Sequence, residues 1–217
     1  MEKNMSVQKY SQEILTNKVF EFIFGCAMHD AILQQSFKGK KDWVGKVTEA
    51  RSPLREYIDK IFKNEFKNQQ EHDLYFLKTV NAICKTINEN KPENAIDIFS
   101  FGNAQKLINM TAKHFYSICY LDPAERFKFQ FCHCPLDSIM VKEIWKKYRE
   151  EKGVALRKKD LNDDFCKSWG DEGLDDGKQP ELKACPDRYN RFQKAVKALI
   201  GESDIYPIEF DYLIWKQ

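Results

Sequence analysis

The chain of 217 residues carries 35 Lys and Arg against 33 Asp and Glu, is 42% hydrophobic and 13% aromatic, and contains only 9 Gly and 7 Pro. That composition belongs to a globular chain long enough to bury a core, and it excludes collagenous, low-complexity and disordered proteins. The formal net charge of +2 excludes a protein that holds nucleic acid by phosphate neutralisation alone, a mode that needs a clear basic excess.

Helical periodicity runs through the whole chain and alternating β-branched runs are nearly absent, so the expected fold is all-α. We expect a multi-helix globular bundle, a single domain over residues 1–217, with a long polar, acidic excursion near residues 154–185. The first helix is expected from Ser6 to about Gln35, with Ile14, Val19, Phe22, Ile23, Cys26, Ile32 and Leu33 on its apolar face and Gly39 ending it. Its most apolar run, Val19 to Phe24, is interrupted by Glu21 and falls far short of the roughly 18 residues of a membrane span. The N-terminal residues Met1 to Met5 lack the basic and apolar regions of a secretory signal. A cytoplasmic address and no membrane partner are therefore expected. There the seven cysteines would be reduced, and Cys26, Cys84 and Cys119, set among apolar neighbours, read as core residues.

Ser52-Pro53 reads as a helix start in which Ser caps and Pro takes the first helical position, followed by the stripe Leu54, Tyr57, Ile58, Ile61 and Phe62. A further helix carries Leu74, Leu77, Val80, Ile83, Cys84 and Ile87 into a break at Asn88 to Pro92. Two more are expected from Phe99 to Tyr120 and from Pro135 to about Lys152, the latter stopped by Gly153. Residues 154–185 are poor in large apolar groups, and the charge reverses across them. Residues 142–159 hold eight Lys/Arg and three Asp/Glu, whereas residues 160–181 hold eight Asp/Glu and two Lys. This is either a solvated, self-neutralising stretch or an acidic flap over a basic surface. Asp187 opens a last helix closed by Gly201, and the apolar tail from Tyr206 to Trp215 is expected to dock on the body.

The segment from Phe99 to Tyr120 is the most informative. At about 100° per residue, Gly102, Gln105, Lys106, Asn109, Lys113, Tyr116, Ser117 and Tyr120 share roughly a third of the helix circumference, opposite Ala104, Leu107, Ile108, Phe115, Ile118 and Cys119. A solvated face in a chain this rich in Glu and Asp should mix both signs, yet this segment contains neither. Ammonium, carboxamide and phenol groups suit a phosphate or carboxylate whose hydrogen-bonding groups Gln105 and Asn109 read, with Gly102 giving room at the positive end of the helix dipole. Tyr116 and Tyr120 would supply stacking planes for a base. The competing reading is a partly buried helix whose amides and phenols bond neighbouring helices while Lys106 and Lys113 reach solvent.

Phe131-Cys132-His133-Cys134-Pro135-Leu136-Asp137 places soft ligands just before a helix. Only His133 separates the two cysteines, whereas a zinc knuckle spaces them by roughly two to four residues. Cys166 and Cys185 would have to complete such a site. Without metal, His133 and Asp137 sit at the mouth of the helix, where Asp137 caps amides. A Cys134 nucleophile with His133 as base finds no oxyanion donor. Met28-His29-Asp30 and Glu71-His72-Asp73 resemble the His-Asp pair of metal phosphohydrolases only loosely and read as surface or capping residues. Asp171 to Gly177 is out of register for a calcium loop. Phosphate-loop, dinucleotide, nucleophile-elbow and zinc-protease motifs are absent from the sequence.

The resulting expectation is a protein that recognises a phosphate-bearing nucleotide or a nucleic-acid strand through Gly102, Gln105, Lys106, Asn109, Lys113 and Tyr116, joined by His133 and Asp137. No catalytic residue, metal ligand or cofactor is assigned. The alternatives are an interaction or structural module, with a homo-oligomer as one form, and a zinc-stabilised enzyme built on Cys132, His133 and Cys134.

Overall fold

A computed structural model describes residues 16–30, 47–90, 99–151 and 184–214, with the side chains of the last stretch from residue 189 onward. Among the described residues the fold is all-α, with no strand. In chain order it comprises α1 (residues 16–28), α2 (Arg51–Phe62), α3 (Gln69–Glu89), α4 (Phe101–Cys119), α5 (Pro123–Phe127), α6 (Ser138–Glu151), α7 (Ala184–Ile200) and α8 (Phe210–Ile214). The excursion expected near 154–185, and the expected helix stops at Gly39 and Gly153, lie almost wholly outside these residues.

Local chemistry explains the ends. Asn68 caps α3 by accepting from the Glu71 N–H at 2.9 Å, and Ser100 forms a capping box with Asn103 at the start of α4. Asp122-Pro123 starts α5, a helix the hydrophobic pattern does not announce, with the Asp122 carboxylate on the Ala124 and Glu125 amides. Asp137 lies one residue before α6 and accepts from Ile139 and Met140 N–H at 2.9 and 2.8 Å, so the helix begins at Ser138 and not at Pro135. Ser52 is not the cap of α2. A 3-10 turn, Thr48–Ala50, runs directly into Arg51, and Pro53 fits the third helical position because first-turn N–H groups need no helical acceptor. Gly201 ends α7 at φ 62°, a left-handed conformation that favours glycine.

Two apolar faces are rotated from expectation. On α1 the buried residues are Phe20, Ile23, Phe24 and Ala27, while Val19 and Phe22 are exposed, since the two buried phenylalanines fit one i, i+3, i+4, i+7 face. On α3, Leu74 faces solvent and His72, Phe76, Thr79, Val80, Ile83 and Ile87 face inward. His72 is therefore a core residue, not a surface or capping one. His29, by contrast, is exposed.

Helix α2 packs on α3, α3 on α4, and α6 on α7. The C-terminal segment returns across α4 and α7 through the 3-10 turn Pro207–Glu209 and across α6 through α8. Pro207, Ile208, Phe210 and Ile214 are buried there, whereas Tyr212 and Leu213 point outward. Helix α4 is thereby enclosed: Leu107, Ile108 and Ala112 are buried on one side and Gln105, Asn109 and Tyr116 on the other.

Candidate functional site

Residues 131–137 form an irregular strap through the interior, with Cys132, His133, Cys134, Pro135 and Leu136 all buried. Buried backbone without secondary structure needs other partners. Two carboxamides supply them. Gln193 of α7 accepts from Cys134 N–H at 3.1 Å and donates to its carbonyl at 2.8 Å. Gln105 of α4 donates to the Leu136 carbonyl at 2.6 Å, accepts from Leu136 N–H at 3.4 Å, and also donates to the Gly102 carbonyl at 3.0 Å.

The other residues of the α4 stripe are engaged in the same way. Asn109 donates to Gln105 Oε1 at 3.2 Å and to Tyr189 Oη at 2.9 Å. Lys106 pairs with Asp137 at 3.4 Å, both side chains being mostly buried. Lys113 pairs with Asp211, more deeply still, and lies 4.2 Å from the Tyr212 ring centroid. Tyr116 donates to Glu209 and accepts from Arg126 Nε at 3.1 Å. The acidic groups missing from α4 thus come from Asp137, Glu209 and Asp211, distant in sequence. Gly102, Gln105, Lys106, Asn109 and Asp137 come together, but around the strap and not around an open cleft.

Beyond the strap lies a second polar cluster that joins α3, the strap and α7. Asp73 Oδ1 accepts from His133 Nε2 at 2.9 Å, from His72 Nδ1 at 3.3 Å and from Gln69 Nε2 at 2.7 Å. The remaining nitrogen of each imidazole meets a buried phenol: His72 Nε2 lies 2.7 Å from Tyr57 Oη and His133 Nδ1 lies 2.9 Å from Tyr189 Oη. Burial lowers the His72 pKa to about 4, against the opposing hydrogen bond to Asp73. Burial likewise lowers that of His133. Asp73 would be raised by burial alone, but hydrogen bonds from His133 and His72 hold it well below the carboxylate range. Both imidazoles are neutral near pH 7, beside an ionised carboxylate.

The cysteines of the strap take another path. Burial raises the Cys132 thiol to about 12, partly offset by its hydrogen bond with Tyr57, and raises Cys134 well above its ordinary value. Neither is an activated nucleophile. Among the described residues the group spaced to hold a metal is His72, Asp73 and His133, without either cysteine. Cys166 and the side chain of Cys185 lie outside the described residues.

Where α4 ends, the stripe does reach open space. Tyr116, Ser117 and Tyr120 join Arg126, Glu209, Tyr212 and neighbours around a cavity of about 500 Å³, a size ordinary for a small-molecule site. Tyr120 and Tyr212 are about half exposed. Arg126 donates through Nε to Glu209 at 2.9 Å, and through Nη2 to Glu209 at 3.0 Å and to the Asp204 carbonyl at 2.7 Å. Its guanidinium also packs over Tyr206 and Tyr120, at 4.7 and 5.9 Å from the ring centroids. Burial raises the Glu209 pKa, partly offset by the Tyr206 amide. Neither a family model, nor a curated protein, nor a solved structure matches this chain.

Proposed function

We propose that the protein binds a small planar ligand with a hydrogen-bond-accepting group, a nucleotide by chemical class, in the cavity at the C-terminal end of α4. The observation that carries this reading is the meeting of two half-exposed phenol rings, Tyr120 and Tyr212, with Arg126 around about 500 Å³ of space. Rings of this kind stack on a base. The Arg126 donors Nε and Nη2 are spent on Glu209 and Asp204, which among the described residues leaves Nη1 for an acceptor such as a phosphate oxygen or a base carbonyl.

The charge balance favours a single nucleotide over a nucleic-acid strand. Arg126 is neutralised by Glu209 and Lys113 by Asp211, so among the described residues the rim offers no run of unpaired cations to release counterions from a polyanion. Binding, not turnover, fits the hydroxyl present: Ser117 donates to the Lys113 carbonyl at 2.8 Å and meets the Tyr212 phenol. Neither partner is a general base of the kind that activates a nucleophile.

Calorimetric titration of the full chain with AMP, GMP, CMP, UMP and inorganic phosphate tests the reading. At least one nucleotide should bind with little dependence on salt, and Tyr120→Ala should weaken it by about tenfold or more, as loss of a stacking plane implies. Binding by none of the four, or binding indifferent to Tyr120→Ala and Leu213→Ala, contradicts it.

A further inference from the structure

The cluster around Asp73 has the geometry of a metal centre. His72 and Asp73 project from α3 and His133 from the strap, and one potential ligand atom from each lies within 4.8 Å of the other two. The Asp73 oxygen is 2.9 Å from His133 Nε2 and 3.3 Å from His72 Nδ1. Donor atoms about 2.0–2.1 Å from a tetrahedral zinc ion are separated from one another by about 3.3 Å, so small side-chain shifts bring these three onto a common ion.

The surroundings of the imidazoles add an independent argument. A metal-bound histidine characteristically has its second ring nitrogen hydrogen-bonded, which fixes the tautomer and the ring plane. Both histidines meet this requirement with buried phenols, Tyr57 for His72 and Tyr189 for His133. Both rings stay neutral on binding: the proton of His72 moves from Nδ1 to Nε2, facing Tyr57, and that of His133 from Nε2 to Nδ1, facing Tyr189. Each phenol must then direct its own proton elsewhere, Tyr57 towards its hydrogen-bond partner Cys132. Asn109, already on Tyr189 through Nδ2, has a buried Oδ1 with no hydrogen-bond partner among the described residues. Turning its amide over presents that acceptor to the phenol and gives up the Nδ2 hydrogen bond to Gln105 Oε1.

We propose that His72, Asp73 and His133 bind one divalent first-row transition-metal ion, with zinc the best match to two imidazoles and a carboxylate. The ion joins α3 to the strap; the Gln69 amide, 2.7 Å from Asp73 Oδ1 and 3.4 Å from His133 Nε2, gives way to it, and water completes the shell beside Asp73, whose side chain is 38% accessible. This site is separate from the nucleotide reading and does not depend on it.

The test loads the purified full chain with Zn²⁺ or Co²⁺, removes free ion, and measures bound metal together with melting temperature. The expected result is one ion per chain, and a rise of roughly 5–10 °C when the ion exceeds its Kd about a hundredfold. Bound Co²⁺ should show the intense visible absorption of a low-symmetry, four-coordinate site. His72→Gln and His133→Gln should abolish stoichiometric binding. Asp73→Asn, at a half-exposed position, guards against loss through misfolding: a variant with native circular dichroism should still lose the ion. Cys132→Ser should retain it. No stoichiometric uptake by the wild type, or an ion retained by folded Asp73→Asn and lost from folded Cys132→Ser, overturns the proposal.

Discussion

Gln105 and Leu136 are joined by paired hydrogen bonds, the carboxamide of one reading the N–H and C=O of the other as a neighbouring strand would. Gln193 does the same for Cys134 from the opposite helix. Between them, α4 and α7 replace the sheet partner that this buried irregular strap lacks, and they fix where His133 and Asp137 stand. The polar face of α4 is directed at its own chain over most of its length.

Gln105→Leu keeps the side chain's approximate volume but leaves the Leu136 amide and carbonyl buried without these partners. An unsatisfied buried group costs about 1–3 kcal/mol, so we expect a loss of about 2–4 kcal/mol in urea-unfolding stability. A loss below about 0.5 kcal/mol would mean that the strap's backbone is satisfied in another way.

Lys113 and Asp211 form a mostly buried pair, and Asp211 Oδ1 has no hydrogen-bond partner among the described residues. Lys113→Met strands that carboxylate, and removing one partner of a buried pair costs roughly 3–5 kcal/mol. The double variant Lys113→Met with Asp211→Leu should recover most of this, because neither charge is then buried. Denaturant midpoints of the two variants give the comparison, and equal losses in both would argue against a desolvated pair.

Stability of chelator-treated protein should depend on pH through His72. Its folded pKa lies near 4, below the ordinary value of 6.5, so the unfolded chain binds the proton more readily between those values. The sign follows from linkage: the stability is fully present above about pH 6.5 and is lost as pH falls towards 4. Burial of His133 acts in the same direction. The charged groups facing the pair are Asp73 and Lys197, and Asp73 stays ionised throughout this window because its own pKa is depressed further. The His72 shift alone is worth on the order of 3 kcal/mol. Melting temperatures that do not change from pH 7 to 4.5 would contradict the buried neutral assignment.

Helical periodicity made the all-α class legible, and it located the core stripe of α2 and that of α4 as far as Phe115, beyond which Ile118 is exposed. It misjudged α1 and α3, where Phe22 and Leu74 are apolar enough to suggest the buried face, yet the inward faces are carried by Phe20 with Phe24 and by His72 with Phe76. The absence of acid from α4 was visible, but its meaning was not. An unpaired lysine stripe and one paired with acids from Asp137 and Asp211 have the same local sequence. His72 reads as a surface or capping residue because a polar stretch precedes it, although the amphipathic phase of α3 placing Phe76, Val80 and Ile83 inward also turns position 72 towards the core. Its meeting with His133, across 61 positions of sequence, is fixed by tertiary packing that no local pattern encodes.

Helix α4 is occupied by its own chain along Gln105, Lys106 and Asn109, and among the described residues it meets open space at its C-terminal end. Amide chemical-shift mapping of the full chain, titrated with the tightest-binding nucleoside monophosphate, measures this directly. Binding in the cavity should concentrate shifts at residues 116–126 and 204–213, with Gln105 to Asn109 and Leu136 unmoved. Shifts centred on Gln105 to Asn109, with the cavity residues silent, would contradict it.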